Sequence, residues 1–204
     1  MTGPGLFVVF EGGDGAGKST HAGLLADWLR GRGLTVCRTF EPGDTALGRE
    51  IRRLVLDPAS GDIAPRAEAL LYAADKAHHV HAVVRPALAR GEIVVCDRYV
   101  DSMVAYQGAG RVLAPDEVAQ VARWGTDGLR PDLTILLDVD VAVALGEKED
   151  HDRLEQAGTD FHERVREFYL QLAAADPGRY LVVDSRRPKE AVAETIQERV
   201  AALL

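Results

Sequence analysis

The sequence contains no asparagine among its 204 residues. It therefore lacks the Asn-Lys-x-Asp run through which guanine-specific domains read their base. Cysteine is almost as scarce: Cys37 and Cys96 lie in separate apolar runs, with no histidine spaced to join them. That excludes a disulfide framework and gives no zinc signature, and both read as buried strand residues in a reducing compartment. Long apolar stretches are missing too. The run at residues 6–10 falls far short of the ~20 residues of a membrane-spanning helix, and no basic segment precedes it as in a secretion signal. Positive charge is in deficit, with 24 Lys and Arg against 32 Asp and Glu and a net charge of -8. A general nucleic-acid binder would carry a basic surface, so that class is excluded. These absences point to a cytoplasmic protein whose phosphate-binding cations, if it has any, are few and individually placed.

What is present suits a compact enzyme core. Apolar residues make up 47% and charged residues 27% of a chain whose length fits one domain, with no linker or repeat to divide residues 1–204. Five apolar runs recur at residues 6–10, 34–40, 92–96, 133–137 and 180–183. They are continuous rather than alternating, as parallel strands covered on both faces require. Helix-period segments lie between them. Leu24, Leu25, Trp28 and Leu29 share one face before Gly31 and Gly33 end the pattern. Residues 67–84 read as a long helix that Pro86 breaks or kinks, and residues 115–124 open on Pro and Asp as a helix should. Phe161, Val165, Phe168, Tyr169 and Leu172 form a further stripe, and Ile196, Val200 and Leu203 carry a last helix to the terminus. The alternation predicts an α/β doubly wound five-stranded parallel sheet.

The sharpest local signal is Gly12-Gly13-Asp14-Gly15-Ala16-Gly17-Lys18-Ser19. It matches G-x-x-x-x-G-K-[ST] and lies directly after a strand and before a helix, where the pattern has physical meaning. Glycines let the backbone N–H groups face phosphate oxygens, and the helix N-terminus adds partial positive charge. Lys18 is placed to bridge the β- and γ-phosphates of ATP, and the Ser19 hydroxyl to hold Mg²⁺. Asp97-Arg98-Tyr99 closes the third strand. A carboxylate there can organise Mg²⁺ and its waters, and the adjacent guanidinium can clamp a phosphate. A plain strand-end salt bridge explains Asp97-Arg98 equally well.

The run Phe10-Glu11-Gly12-Gly13-Asp14-Gly15-Ala16-Gly17-Lys18-Ser19-Thr20 resembles the thymidylate kinases. So do Glu41-Pro42-Gly43, Asp97-Arg98-Tyr99-Val100-Asp101-Ser102, Ala105-Tyr106-Gln107-Gly108, Asp152-Arg153-Leu154-Glu155 and Phe161-His162-Glu163-Arg164-Val165. The matches keep their order from about residue 6 to about residue 185. The resemblance implies a P-loop nucleoside monophosphate kinase-like fold, phosphorylation of dTMP to dTDP with ATP and Mg²⁺ in deoxynucleotide biosynthesis, and a homodimer. Carried over by position, Gly12 to Thr20 embrace ATP. Asp14 meets the acceptor's 3'-hydroxyl and helps with Mg²⁺, while Arg98 and Arg52 hold the acceptor phosphate with Glu41 close by. Tyr72 falls where the family stacks an aromatic on thymine, and Tyr106 and Gln107 line the sugar and base. Arg187, in the Ser185-Arg186-Arg187-Pro188 loop, borders adenine. Tyr72 also reads as a core residue, and Arg52 as part of a surface run.

Three positions depart from the family pattern. Lys76 stands where an arginine usually reads the base, Met103 where a small polar residue is common, and Phe40 where a basic residue often precedes Glu-Pro-Gly. Lysine lacks the guanidinium fork and methionine offers no useful hydrogen bond, which makes thymine recognition softer than the phosphate chemistry. In this branch of the family a lid supplies the catalytic cation. The candidate lid, at about residues 146–158, is strongly acidic and offers Lys148 and Arg153, of which Arg153 matches the family's Asp-Arg-[LI]-Glu. Those departures leave open a kinase for another deoxynucleoside monophosphate, and the acidic lid leaves open a catalytically weak nucleotide-binding regulator. The cluster His78, His79 and His81 has no further ligand nearby and reads as surface or interface.

Overall fold

The computed structural model describes residues 5–110, 113–142 and 158–204. Five strands, β1 (Leu6–Glu11), β2 (Val36–Phe40), β3 (Ile93–Asp97), β4 (Leu133–Asp138) and β5 (Tyr180–Asp184), form one parallel sheet in the order β2-β3-β1-β4-β5. The doubly wound architecture expected from the alternation is therefore present.

The central strand explains why its sequence is apolar without alternation. Val8 and Phe10 pack with Leu25, Leu29, Val192 and Ile196, on the face covered by α1 (Lys18–Gly31) and the last helix. Phe7 and Val9 pack with Val80, Val84 and Ala87 on the other face. The outer strands behave differently. β2 and β5 mix buried, half-buried and exposed positions, because each has one open edge and partial cover. This corrects the expectation for Cys37, which is half-buried on the edge strand, whereas Cys96 on β3 is buried.

Two helical segments differ from the expected pattern. Residues 67–84 belong to a longer element: α3 (Pro65–His79) runs into a wide π turn (Val80–Val84) and on into α4 (Arg85–Ala89). Pro86 thus falls directly after the π turn, at the start of α4, and the helix continues past it. A helix that the sequence concealed, α2 (Ala46–Leu56), covers Arg49 to Arg53 and is started by the Thr45 side chain accepting from Gly48 N.

Further helices among the described residues are α5 (Val100–Met103), which enters a second π turn (Val104–Ala109), then α6 (Pro115–Gly125), α7 (Thr159–Ala175) and α8 (Lys189–Ala201). Leu203 lies beyond the end of α8 and is partly exposed, so the last helix stops short of the terminus. Among the described residues, no helix is long and apolar enough to cross a membrane.

Strand register positions the site. Phe10 pairs with Asp97, and Asp97 pairs with Phe40, so β1, β3 and β2 end at one level. The loops that follow them converge on the same edge, as ligand-binding loops of open α/β sheets do.

Candidate active site

A cleft of about 780 Å³ opens at this edge. Its walls include Asp14, Gly15, Gly17, Lys18, Ser19 and Thr20 from the loop after β1 and the start of α1. Glu41 and Arg52 come from the β2 side, Tyr72 and Lys76 from α3, and Asp97, Arg98, Met103, Tyr106 and Gln107 from the segment after β3. The candidates scattered along the sequence are thus brought to one place. One π turn lines it through Tyr106 and Gln107, and the other begins after His79.

The phosphate loop is set by its glycines. Gly12 has φ 137°, and a Cβ there would lie 2.3 Å from the carbonyl oxygen of Leu137, a clash no side chain survives. With Gly13 it lines a small cavity on the β4 side together with His162 and Tyr169. Lys18 is folded across the loop, donating to the carbonyls of Gly12 at 3.1 Å and Gly13 at 2.5 Å. Burial, and then the charge of Arg98, bring its ammonium down to about 8, against the opposing pull of Asp14, Asp97 and Glu11. The Ser19 hydroxyl donates to Asp97 Oδ2.

Arg98 adopts a left-handed backbone conformation with φ 69°, unusual for a residue with a Cβ and a mark of a site where geometry is imposed. Its guanidinium donates to Asp14 Oδ1, to Gly12 O at 3.2 Å and to Ser102 Oγ at 3.1 Å, and lies over the Tyr106 ring. The Tyr106 hydroxyl donates to Asp14 Oδ2 at 2.8 Å. Burial alone would raise the Asp14 carboxyl, but Arg98, Lys18 and Tyr106 hold it well below the usual carboxylate range. Both Asp14 oxygens therefore face the Arg98–Tyr106 side.

Several candidates have partners the sequence did not suggest. Lys76, expected to reach toward the base, gives its ammonium to Glu41 Oε2 at 2.6 Å and is only 2% exposed. Gln107 donates to Glu68 Oε1 at 3.0 Å, and Arg52 to the carbonyl of Pro42 at 2.9 Å. Met103 and Tyr72 are buried in the wall. Arg187 is not in this cleft; it points to Thr195 Oγ1 at 3.4 Å on α8. Lys148 and Arg153, with nearly all of the candidate lid, lie outside the described residues.

Two residues escaped the sequence reading. Glu11, at the end of β1, is fully buried and accepts from Tyr99 N at 2.9 Å, Ser102 N at 3.1 Å, Ser102 Oγ and Tyr169 OH at 3.0 Å. It ties down the chain on the far side of Arg98. Its signal was a charge closing a strand buried on both faces. The other is His79, which is buried at 1% exposure rather than on the surface.

Comparison with known proteins gives the family. A family model described as thymidylate kinase matches residues 10–196. The chain belongs to the thymidylate kinase family. A thymidylate kinase of Cutibacterium acnes is 59% identical over 200 residues, covering 98% of each chain. One of Leifsonia xyli is 60% identical over 201 residues, covering 97% of this chain and 95% of the relative. One of Clavibacter michiganensis is 55% identical over 204 residues, covering 98% and 96%. Members of this family are kinases, and the phosphate loop, Lys18 and the Arg98–Asp14 pair lie together in the cleft.

Proposed function

We propose that the cleft transfers the γ-phosphoryl group of ATP to the 5'-phosphate of dTMP, giving ADP and dTDP. The observation that carries this reading is the Arg98–Asp14–Tyr106 cluster facing the phosphate loop within one cleft. An oxygen of the acceptor phosphate forms the new bond to Pγ, and the bond from Pγ to the β-bridging oxygen breaks. The acceptor phosphate oxygen already bears charge, so no proton has to be removed from it.

Each side chain has a part that its position supports. The loop amides and Lys18 hold the β- and γ-phosphates, and Arg98 aims the acceptor phosphate, with Arg52 at the outer wall. Asp14 receives the sugar 3'-hydroxyl, and the Tyr106 ring beside it leaves little room for a 2'-hydroxyl. Tyr72 offers a face for the base. Because the protein mostly positions groups and offsets charge in phosphoryl transfer, the convergence of these residues is the catalytic device.

Hard oxygen donors, a hydroxyl and a carboxylate in contact beside the phosphate loop, fit Mg²⁺. Among the described residues, no cluster of three or more His, Cys, Asp or Glu forms a metal cage. That suits an ion held mainly by phosphates and water. Ser19 and Asp97 would hold it. Asp14, whose oxygens are taken by Arg98 and Tyr106, belongs to the acceptor side instead. Bound Mg²⁺ supplies neutralisation of the β- and γ-phosphate charge.

A homodimer in the cytoplasm, with a lid at about residues 146–158 supplying Arg153 or Lys148, completes the proposal. No observation favours another deoxynucleotide acceptor or a regulator without turnover. The test is ADP release with Mg-ATP and dTMP, dUMP, dCMP, dGMP or UMP. Turnover favouring dTMP supports the reading, and ATP binding without acceptor-dependent ADP release overturns it.

A further inference from the structure

His79, the last residue of α3, is buried against the β2 side of the cleft. Its Nδ1 lies 2.6 Å from Oε1 of Glu41 and its Nε2 lies 2.5 Å from Oγ1 of Thr39. Thr39 Oγ1 is in turn 2.5 Å from Oδ2 of Asp44. The other oxygen of Glu41 takes Lys76 Nζ. A continuous chain of short hydrogen bonds therefore runs from one carboxylate, through the imidazole and a hydroxyl, to a second carboxylate.

The protons in this chain can be counted. An ionised carboxylate only accepts, and a hydroxyl has one proton to give. Burial would raise the Glu41 carboxyl, but the Lys76 charge and the His79 bond hold it below its ordinary range. An ionised Glu41 obliges Nδ1 to donate. At the other end, the Thr39 proton goes to Asp44. With that proton committed, the Thr39 oxygen meets Nε2 only as an acceptor, so Nε2 donates as well. An imidazole that donates from both nitrogens is an imidazolium.

We propose that His79 is a positioning residue for the acceptor nucleotide, held as an imidazolium that fastens Glu41 to Thr39 at the β2 edge and shares with Lys76 the neutralisation of Glu41. Withdrawing its second proton would set two lone pairs against each other across the Nε2–Thr39 contact and loosen that wall of the cleft. The charged and titratable groups around the Glu41–His79 pair are Asp44 after β2 and Asp75 and Lys76 on α3, with Cys96 and Tyr99 of the β3 side near Glu41. Lys76 and the imidazolium thus stand among three carboxylates. The sequence departure at Lys76 gains a reason: the residue at the base-reading position is one half of a paired cation set around Glu41.

This inference rests on the acceptor reading of the cleft, but its first test needs no acceptor. In nitrogen-15 NMR of the folded protein near neutral pH, both His79 ring nitrogens are expected to carry protons. Asp44→Asn presents an amide that can donate to Thr39, freeing the hydroxyl to donate to Nε2. His79 of that variant is therefore expected to lose its second proton at lower pH than in the native protein. In kinetics, His79→Gln, checked for folding by thermal melting, is expected to raise KM for dTMP roughly tenfold, about 1.4 kcal/mol. Its kcat and KM for ATP should stay within about twofold. The rise of KM for dTMP with alkaline pH should also vanish in this variant. A single protonated ring nitrogen in the native protein overturns the proton count, as does an unchanged His79 titration in Asp44→Asn. A folded His79→Gln enzyme with native KM for dTMP overturns the positioning role. An absence of dTMP turnover in the native protein would sink the acceptor reading, while the NMR arm would still judge the imidazolium.

Discussion

Arg98 and Asp14 form an ion pair across the cleft, although 84 residues separate them in the chain. Arg98 follows β3 in a left-handed conformation and Asp14 lies inside the phosphate loop after β1. Because β1 and β3 are hydrogen-bonded neighbours whose ends are in register, the two loops are held together by the sheet rather than by each other. The pair is thus preorganised at the point where acceptor and donor phosphates would meet.

Replacing Arg98 with alanine should cost about 10²–10³ in kcat/KM for dTMP, the magnitude for removing one preorganised charge partner of a reacting group. Arg98→Lys keeps the charge but not the fork that reaches Asp14, Gly12 and Ser102 together, and should recover only part of the loss. Steady-state rates at fixed saturating ATP measure this. Native kinetics in Arg98→Ala would remove Arg98 from the mechanism.

Glu11 gives a prediction in stability and its pH dependence. Its carboxylate accepts the backbone N–H groups of Tyr99 and Ser102, which Glu11→Ala would strand in a buried place. At about 1–3 kcal/mol for each stranded donor, the variant should lose several kcal/mol and release the turn at Arg98. Glu11→Gln keeps an accepting oxygen and should lose less. Burial, and then the charge of Asp101, raise the Glu11 carboxyl above the ordinary glutamate value, despite opposing pulls from Ser102, Arg98 and Tyr99. Between the ordinary and raised values the folded state binds more protons than the unfolded one. Its contribution is therefore fully present at lower pH and lost as pH rises through the raised value. The melting-temperature advantage of the native protein over Glu11→Gln should shrink from about pH 4 to pH 8. Parallel melting curves across that range would contradict this.

The sequence displayed the phosphate loop because its glycines, lysine and serine are contiguous, and contiguity is what a linear reading sees best. The parallel sheet was legible for a similar reason: β1, β3 and β4 are buried on both faces and read as unbroken apolar runs. Along the chain His79 stands with His78 and His81 as a cluster, which hides its burial. Its structural company is Tyr72 and Lys76, at seven and three residues before it, which share its helical face. Helix α2 was hidden because Arg49 to Arg53 looks like a solvated charge run until Ile51 and Val55 are seen in the core. Partners such as Glu41 for Lys76 and Glu68 for Gln107 join residues 35 and 39 positions apart, which periodicity cannot reveal.

Lys76→Met tests the buried pair directly. Both members are almost fully enclosed, so the variant leaves Glu41 with the His79 ring as its remaining side-chain partner. Breaking a buried ion pair from one side costs about 3–5 kcal/mol. A lower melting temperature should be accompanied by a raised KM for dTMP rather than for ATP, because Lys76 lies on the wall away from the phosphate loop. Unchanged stability would mean that Glu41 takes up a proton or is satisfied by water.

The Ser19–Asp97 contact yields the last expectation, and it concerns metal dependence. The hydroxyl and the carboxylate are paired beside Lys18, where the β- and γ-phosphates would lie. If they share one Mg²⁺, removing the hydroxyl should weaken metal use before it weakens nucleotide binding, since loop amides and Lys18 still hold the phosphates. Ser19→Ala should therefore need roughly tenfold more free Mg²⁺ for half-maximal rate, about 1.4 kcal/mol. Ser19→Thr, which keeps the hydroxyl, should need no more than the native enzyme. Chelation should abolish turnover in all three. Rate measured against free Mg²⁺ at constant ATP distinguishes the cases. Equal metal requirement for the alanine and native proteins would assign Ser19 to the helix start alone, leaving Asp97 as the protein's metal ligand.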